Sequence, residues 1–288
     1  MKVQLFQPGG ALRPYIENYM LVDIDWQTIS PGGTVWRLIP FGQISLLFLY
    51  GDPHGYNTTG ANDSMQLTSS AFMVGQLTQP LWLRFSGHTR LVKIQLKPAG
   101  IRQLLPLNMV ECTNIPSIEL NSIWGNTVNT FPEQLHDAGN DEERIALLDS
   151  FLEKRLLPLH DQAAYIDYTI KQLESSRGSV NITDLEVKLG ITGRHLERLF
   201  KNRVGLTPKE ISKVIRLNYA FSCLEKNPDM SLTALSHESG YYDQAHFSRD
   251  FKKIAGISPS KLFSTNSAEL FVTHGKCFFK NTRITADA

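Results

Sequence analysis

Two arginines, Arg198 and Arg249, stand 51 positions apart inside the same local pattern. The first lies in His195-Leu196-Glu197-Arg198-Leu199-Phe200-Lys201, the second in His246-Phe247-Ser248-Arg249-Asp250-Phe251-Lys252. The echo continues as Gly205-Leu206-Thr207-Pro208 against Gly256-Ile257-Ser258-Pro259. A guanidinium is a planar fork of donors that fits the O6 and N7 acceptors of guanine in a major groove, whereas a lysine ammonium is a point charge that suits phosphate. A solvated surface charge is the ordinary fate of one arginine; a matched pair at one register favours a shared task. Repetition of this kind marks a supersecondary unit used twice.

The elements that must hold these arginines follow from the apolar spacing. Leu196, Leu199 and Phe200 make an inner stripe, with Arg194, Glu197, Arg198 and Lys201 on the outer face of the same helix, expected from about Thr192, as its cap, to Arg203. Ile182 to Leu189 predicts a preceding short helix and Gly190-Ile191 the turn, which together make a helix-turn-helix. In the second copy Leu232 and Leu235 face inward, Gly240 turns, Asp243 caps, and Phe247, Phe251 and Ile254 form the stripe. The gap from glycine to histidine is one residue longer here, so the two turns differ. Thr207-Pro208 starts a connecting helix through about Lys226, ended by Asn227-Pro228.

The segments HLERLFKNRVGLTPKE, RLNYA and GYYDQAHFSRDFKKIAGISPSKLF resemble the DNA-binding domain of the AraC/XylS family of bacterial transcription regulators, over roughly Ala163 to Phe263. The resemblance implies two helix-turn-helix units held by a central helix, with both recognition helices in successive major grooves on one face of double-stranded promoter DNA. It also implies activation through RNA polymerase. A spacer of about 20 residues is roughly 30 Å long, comparable with one DNA turn. Arg198 and Arg249 match positions the family uses for readout. Arg194 and Glu197 would add contacts in the first unit, and Gln244, Ala245 and His246 in the second; Lys201, Lys252 and Lys253 would meet phosphates. His195 adjoins the inner stripe and is expected to pack. The family's small alanine in the first helix of each unit is replaced here by Glu186 and Ser236, and a trapped Glu186 carboxylate would loosen the first unit.

Before this domain the signal is of strands: VWRLIP, ISLLFLY, AFMVGQL, LWLRFSG and LVKIQLK, separated by turn-forming stretches. They predict a small barrel or sandwich, and IPFGQISLLFLYGD, VGQLTQPLWLRF and LKPAGIRQLL resemble the cupin-like N-terminal domains of some AraC-family members. The fold class is thus α+β, a small cupin-like β-barrel with helices followed by an all-α domain. Domains are expected over 1–158 and 159–263, with a tail over 264–288 whose apolar LFVTHGKCFF either adds a strand or stays loose; Leu156 to Gln162 would connect the domains. Pro14 to Met20 fits a strand or a short helix. Helices are expected over Ala99–Leu105, Ile118–Trp124, Val128–Leu135 and Glu142–Leu156, the last with Arg144 in water. They either pair two subunits into a homodimer, as in the family, or pack on their own barrel.

A pocket inside the barrel, lined by Trp36, Phe48, Trp82 and Phe85, with Arg37, Arg84, His88 or Arg90 to orient a polar or anionic small-molecule effector, would make the N-terminal domain a sensor. An aromatic core with surface cations explains each residue singly, and a regulator whose N-terminal half only dimerises fits the same sequence. No catalytic, metal or cofactor set is expected: His54 and His88 are isolated, no His-x-His or Cys-x-x-Cys pair occurs, and phosphate-loop and serine-elbow motifs are absent.

Composition agrees with a DNA partner only when divided. The chain of 288 residues carries a net charge of +1, with 13 Lys/Arg against 9 Asp/Glu from Asn181 to Phe263 and 13 against 17 from Met1 to Val180. The three cysteines, Cys112, Cys223 and Cys277, form neither a disulfide framework nor a zinc pair and fit a reducing compartment. The apolar run Ile44–Tyr50 is too short to span a bilayer and the start lacks an apolar secretory core, so a cytoplasmic location without a membrane partner is expected.

Overall fold

Period-two burial builds the first half of the chain. The computed structural model describes residues 1–158, 163–227, 229–264, 271–273, 276–279 and 282–284. Strands β1 (Lys2–Phe6), β2 (Ile16–Asp25), β3 (Thr34–Leu38), β4 (Ile44–Leu49), β5 (Gly55–Asn57), β6 (Gln66–Leu67), β7 (Ala71–Val74), β8 (Leu81–Phe85), β9 (His88–Leu96) and β10 (Ile118–Glu119) form two antiparallel sheets, β1-β2-β9-β4-β7-β10 and β3-β8-β5-β6. Among the described residues no ladder joins the two sheets into a closed barrel. Pro14 to Met20 resolves as the start of β2, beyond a turn that ends at Tyr15.

The β4 strand is apolar on both faces because both are covered. Leu46 and Phe48 join the core beneath the helices, while Ser45 and Leu47 face the second sheet. Helix α1 (Trp26–Ile29) sits at the end of β2. The chain after Pro98 gives α2 (Ile101–Leu104), α3 (Asn121–Trp124), α4 (Phe131–Asp137) and α5 (Asp141–Glu153). Ile101, Leu104, Phe131, Leu135, Leu148 and Leu152 are buried against β2, β4 and β9, so these helices pack on their own sheet. Ile118–Trp124 is split, with a two-residue strand before the helix. Arg144 is not in water: its guanidinium donates to Leu135 O and Ala138 O at the end of α4 and to Asp141 Oδ1 (2.8 Å). Cationic donors at a helix C-terminus satisfy carbonyls that the helix itself leaves open.

The C-terminal helical domain comprises α6 (Ala163–Ser175), α7 (Ile182–Leu189), α8 (Gly193–Val204), α9 (Pro208–Lys226), α10 (Leu232–Glu238), α11 (Gln244–Ala255) and α12 (Pro259–Ser264). The expected connection Leu156–Gln162 lies outside the described residues from 159 onward, as does Pro228. Each helix-turn-helix owns a core. Ile166, Ile170, Leu173, Leu185, Leu196, Leu199, Phe200 and Ile211 close the first; Val214, Leu217, Leu235, Tyr241, Phe247 and Phe251 close the second. Ile39, from the segment after β3, is fully buried in that second core, so the sheet domain reaches into the helical one. Asn218 Nδ2 donates to Phe41 O (3.3 Å) beside it, and Thr113 Oγ1 donates to Gly205 O (2.9 Å) at the end of α8.

Part of the tail adds strands. The backbones of β11 (Phe271–Thr273), β12 (Lys276–Phe279) and β13 (Thr282–Ile284) extend the second sheet, β11 running parallel to β3 with Phe271 opposite Arg37.

Candidate nucleic-acid interface

The two recognition helices are made in the same way. Thr192 caps α8 by accepting from His195 N (3.3 Å), and Asp243 caps α11 by accepting from His246 N (2.6 Å). The recurring histidine is therefore the third residue of each helix, and Arg198 and Arg249 lie three residues further on in both. The extra residue of the second turn lies after its glycine: Ile191 alone separates Gly190 (φ 65°) from the cap Thr192, whereas Tyr241 and Tyr242 separate Gly240 (φ 73°) from the cap Asp243. Both glycines occupy the left-handed region that side chains with a Cβ avoid. Gly205 and Gly256 then end the helices.

Between them, α9 spans 19 residues, about 28 Å at the usual rise. It begins on a capping box in which Thr207 and Glu210 satisfy one another's amides, with Pro208 at the first helical position. Its Lys213 Nζ lies 2.9 Å from Asp250 Oδ1 on the inner side of α11. Asp250 is the counterpart of Leu199 under the 51-residue offset, so the second unit holds an ion pair where the first holds a leucine.

Arg194, Glu197, Arg198, Lys201, Gln244, Ala245, Arg249, Lys252 and Lys253 are all exposed. Arg198 Nη2 lies 3.2 Å from His195 Nδ1, and Arg249 Nε donates weakly to Ala245 O at 3.4 Å. Gln244 Oε1 accepts from Thr233 Oγ1 (2.9 Å), which ties the start of α11 to α10. The His246 ring packs T-shaped with Tyr241 (5.2 Å between centroids) and its Nε2 stands 3.6 Å from Asp250 Oδ2, while its side chain keeps 42% exposure. His195 is half-buried, as its place beside the stripe suggests.

Glu186 is half-buried rather than trapped. A Cβ on Gly193, the first residue of α8, would run into Glu186 Oε1, so the carboxylate lies at the positive end of α8 while sitting in the last turn of α7. The two helix dipoles oppose one another there. Glu186→Ala is expected to change unfolding free energy by no more than about 0.5 kcal/mol, checked by urea titration; a loss above about 1 kcal/mol would contradict it.

The sheet domain holds a cavity of about 190 Å³ between its sheets, lined by Trp26, Trp36, His54, Tyr56, Phe85 and Thr89 among mainly apolar neighbours. Thr89 Oγ1 accepts from Trp26 Nε1 (2.8 Å) and lies 3.0 Å from His54 Nε2. The His54 ring packs on Phe85 (4.6 Å), and burial pulls its pKa down to about 4. Of the pocket residues expected from sequence, Trp36 and Phe85 are in the wall. Phe48 is on the other side of β4, packed on Phe131 and Phe151. Arg37 and Trp82 stack on one another (4.2 Å), Arg84 is exposed, His88 Nε2 meets Asp23 Oδ1 (2.7 Å), and Arg90 lies over Tyr50 (5.9 Å). Trp26, His54 and Thr89 were not legible as lining residues, since each is a lone residue at its own strand end or loop.

Residues 185–265 match the family profile described as a helix-turn-helix domain, and residues 4–116 match a domain of unknown function (DUF6597). Over 90 residues the chain is 34% identical to the probable transcription factor PqrA of Proteus vulgaris, covering 31% of this chain and 72% of that protein. The chain belongs to the AraC/XylS family of transcription regulators. Other AraC-family relatives match over part of the chain. The Msm operon regulatory protein of Streptococcus mutans is 32% identical over 34% of this chain and 35% of its own, and the lactose operon transcription activator of Staphylococcus xylosus is 32% identical over 31% and 33%. The chain thus spans about a third of the length of these two relatives. A solved structure of ToxT from Vibrio cholerae is similar over 80% of this chain and 97% of that one, at 13% identity and a TM-score of 0.46. Among the described residues no helix is long and apolar enough to cross a membrane, and no group of three His, Cys, Asp or Glu is placed to hold a metal.

Proposed function

We propose that this AraC-family protein is a sequence-specific regulator that binds double-stranded promoter DNA with α8 and α11 in successive major grooves. The observation that carries the reading is the matched pair: Arg198 and Arg249 exposed at the same register of two equally capped helices, held apart by one helix about as long as a DNA turn. Arg194 and Glu197 add contacts in the first unit and Gln244 and Ala245 in the second, while Lys201, Lys252 and Lys253 meet phosphates. Activation through RNA polymerase and pairing into a homodimer belong to this reading by kinship, as does a cupin-like N-terminal domain over 1–158.

That domain would sense a small molecule in the Trp26–Trp36–His54 cavity rather than in the cationic pocket expected from sequence. Two features support this. The wall is apolar with one buried polar cluster, the usual make-up of a small-molecule site. Moreover, Ile39 to Phe41 line the cavity while Ile39 sits in the second helix-turn-helix core, so the same segment touches both.

The division between readout and phosphate contact is tested by two variants. Arg249→Ala should cost roughly 1–3 kcal/mol on the specific site and relax selectivity at one base position. Lys252→Ala should weaken specific and random duplex alike and make the salt dependence shallower by about one ion. Equal losses on both duplexes for both variants would refute the assignment.

A further inference from the structure

A second cationic surface adjoins the readout face of α8 and shares Arg198 with it. Arg102 from α2 and Asn108 from the loop after it, both in the sheet domain, line a cleft of about 410 Å³ together with His195, Arg198, Leu199, Asn202 and Arg203 of α8. Three guanidiniums and an imidazole converge there, and the lining contains no carboxylate. Arg102 Nη1 donates to Leu107 O (3.2 Å), Arg198 meets His195, and Asn108 Nδ2 donates to Glu111 Oε1 (3.0 Å) outside the lining. Among the described residues no ion pair joins Arg102, Arg198 or Arg203. Partial burial and the neighbouring Arg102 charge both pull the Arg203 pKa down, the direction expected of cations held together without a counter-charge.

Like charges gathered at a cleft destabilise the fold unless an anion completes the set, and arginine forks bind phosphate oxygens in pairs. The position selects the source. Arg198 belongs to both the cleft and the outer face of α8, so a duplex whose groove accepts α8 brings its flanking strand to the mouth of the cleft. We propose that Arg102 and Arg203 grip a phosphate group of the DNA backbone beside the first recognition helix, which makes the N-terminal domain part of the DNA interface. The inference rests on the DNA-binding reading and goes beyond it by assigning a contact outside the helix-turn-helix domain.

The test uses the full-length protein, a specific duplex and a random duplex, titrated between about 50 and 200 mM salt. Each phosphate contact contributes about 0.9 to the slope of log affinity against log salt. Arg102→Ala should therefore make the slope shallower by about one and lower affinity roughly eightfold at 0.1 M and fourfold at 0.2 M, equally on both duplexes. Arg102→Lys, which keeps the charge, should restore most of that loss, and Arg249→Ala should lose mainly the specific duplex. Wild-type affinity and slope in Arg102→Ala would overturn the proposal. So would a fall in melting temperature with an unchanged slope, which would make Arg102 a support for Leu107 only.

A second arm titrates inorganic phosphate without DNA. A phosphate-dependent rise in melting temperature that Arg102→Ala abolishes, alongside superimposable DNA titrations, would assign the cleft to a free phosphorylated molecule and overturn the backbone assignment. If the wild type bound no duplex at all, the DNA-binding reading would fall first, and this assignment would fall with it.

Discussion

Acidification from pH 7 to pH 4 should remove up to about 3 kcal/mol of stability through His54 alone. The imidazole is buried between Phe85 and the Trp26–Thr89 pair, and its pKa is pulled from the ordinary value down to about 4. The sign follows from proton binding. Between about pH 6.5 and pH 4 an unfolded chain protonates this histidine and the folded chain does not, so falling pH favours unfolding across that window; above it the contribution is fully present. Asp52, the charged group that acts on His54, opposes the shift and is outweighed by burial. Urea unfolding of the wild type and of His54→Gln at a series of pH values isolates the effect, because other acid-sensitive groups are common to both. The stability difference between the two should shrink by about 3 kcal/mol as the pH drops. Parallel profiles would show that His54 is not buried as described.

Lys213→Met should destabilise the second helix-turn-helix by about 3 kcal/mol, because it strips the cation from a buried carboxylate. Asp250 is 7% exposed, its Oδ1 is held by Lys213 at 2.9 Å, and its Oδ2 has no hydrogen-bond partner, with His246 at 3.6 Å. Removing one partner of a buried pair leaves the full desolvation cost of the other, whereas replacing both by apolar groups is often neutral or better. The first unit already shows the apolar solution, since Leu199 stands where the second unit has Asp250. Lys213→Met combined with Asp250→Leu should therefore recover most of the loss in a thermal or urea melt. A single variant as stable as the wild type would contradict the account, as would a double variant worse than the single.

The two units were legible because their signals are local. Apolar stripes, Thr192 and Asp243 before their helices, and glycines after them repeat at fixed spacing, and the structure places all of them in their expected elements. That Arg198 and Arg249 stand exposed at one register was legible for the same reason, whereas the contacts of His246 with Tyr241 and Asp250 depend on residues that meet it only in space. The sensor pocket was much less so. In a strand covered on both faces, such as Ile44–Leu49, apolar residues fill both registers, and nothing in ISLLFLY says that Phe48 faces the helices while Leu47 faces the second sheet. Trp82 and Arg84 alternate with Leu81, Leu83 and Phe85 on β8, so of the three β8 residues expected in the pocket only Phe85 lies on the cavity face. The Trp26–Thr89–His54 cluster joins three distant segments by single hydrogen bonds, which leave no spacing to detect.

The proposed binding mode pairs Arg198 with Arg249 across one face of the duplex. Its most direct test is selection of genomic fragments by the full-length protein at two salt concentrations, followed by sequencing, with the Arg198→Ala and Arg249→Ala variants run in parallel. Wild type should recover a motif with two read segments about one helical turn apart, and each variant should lose information in one segment while keeping the other. Recovery of a motif in which both variants erode the same segment would contradict the two-helix account.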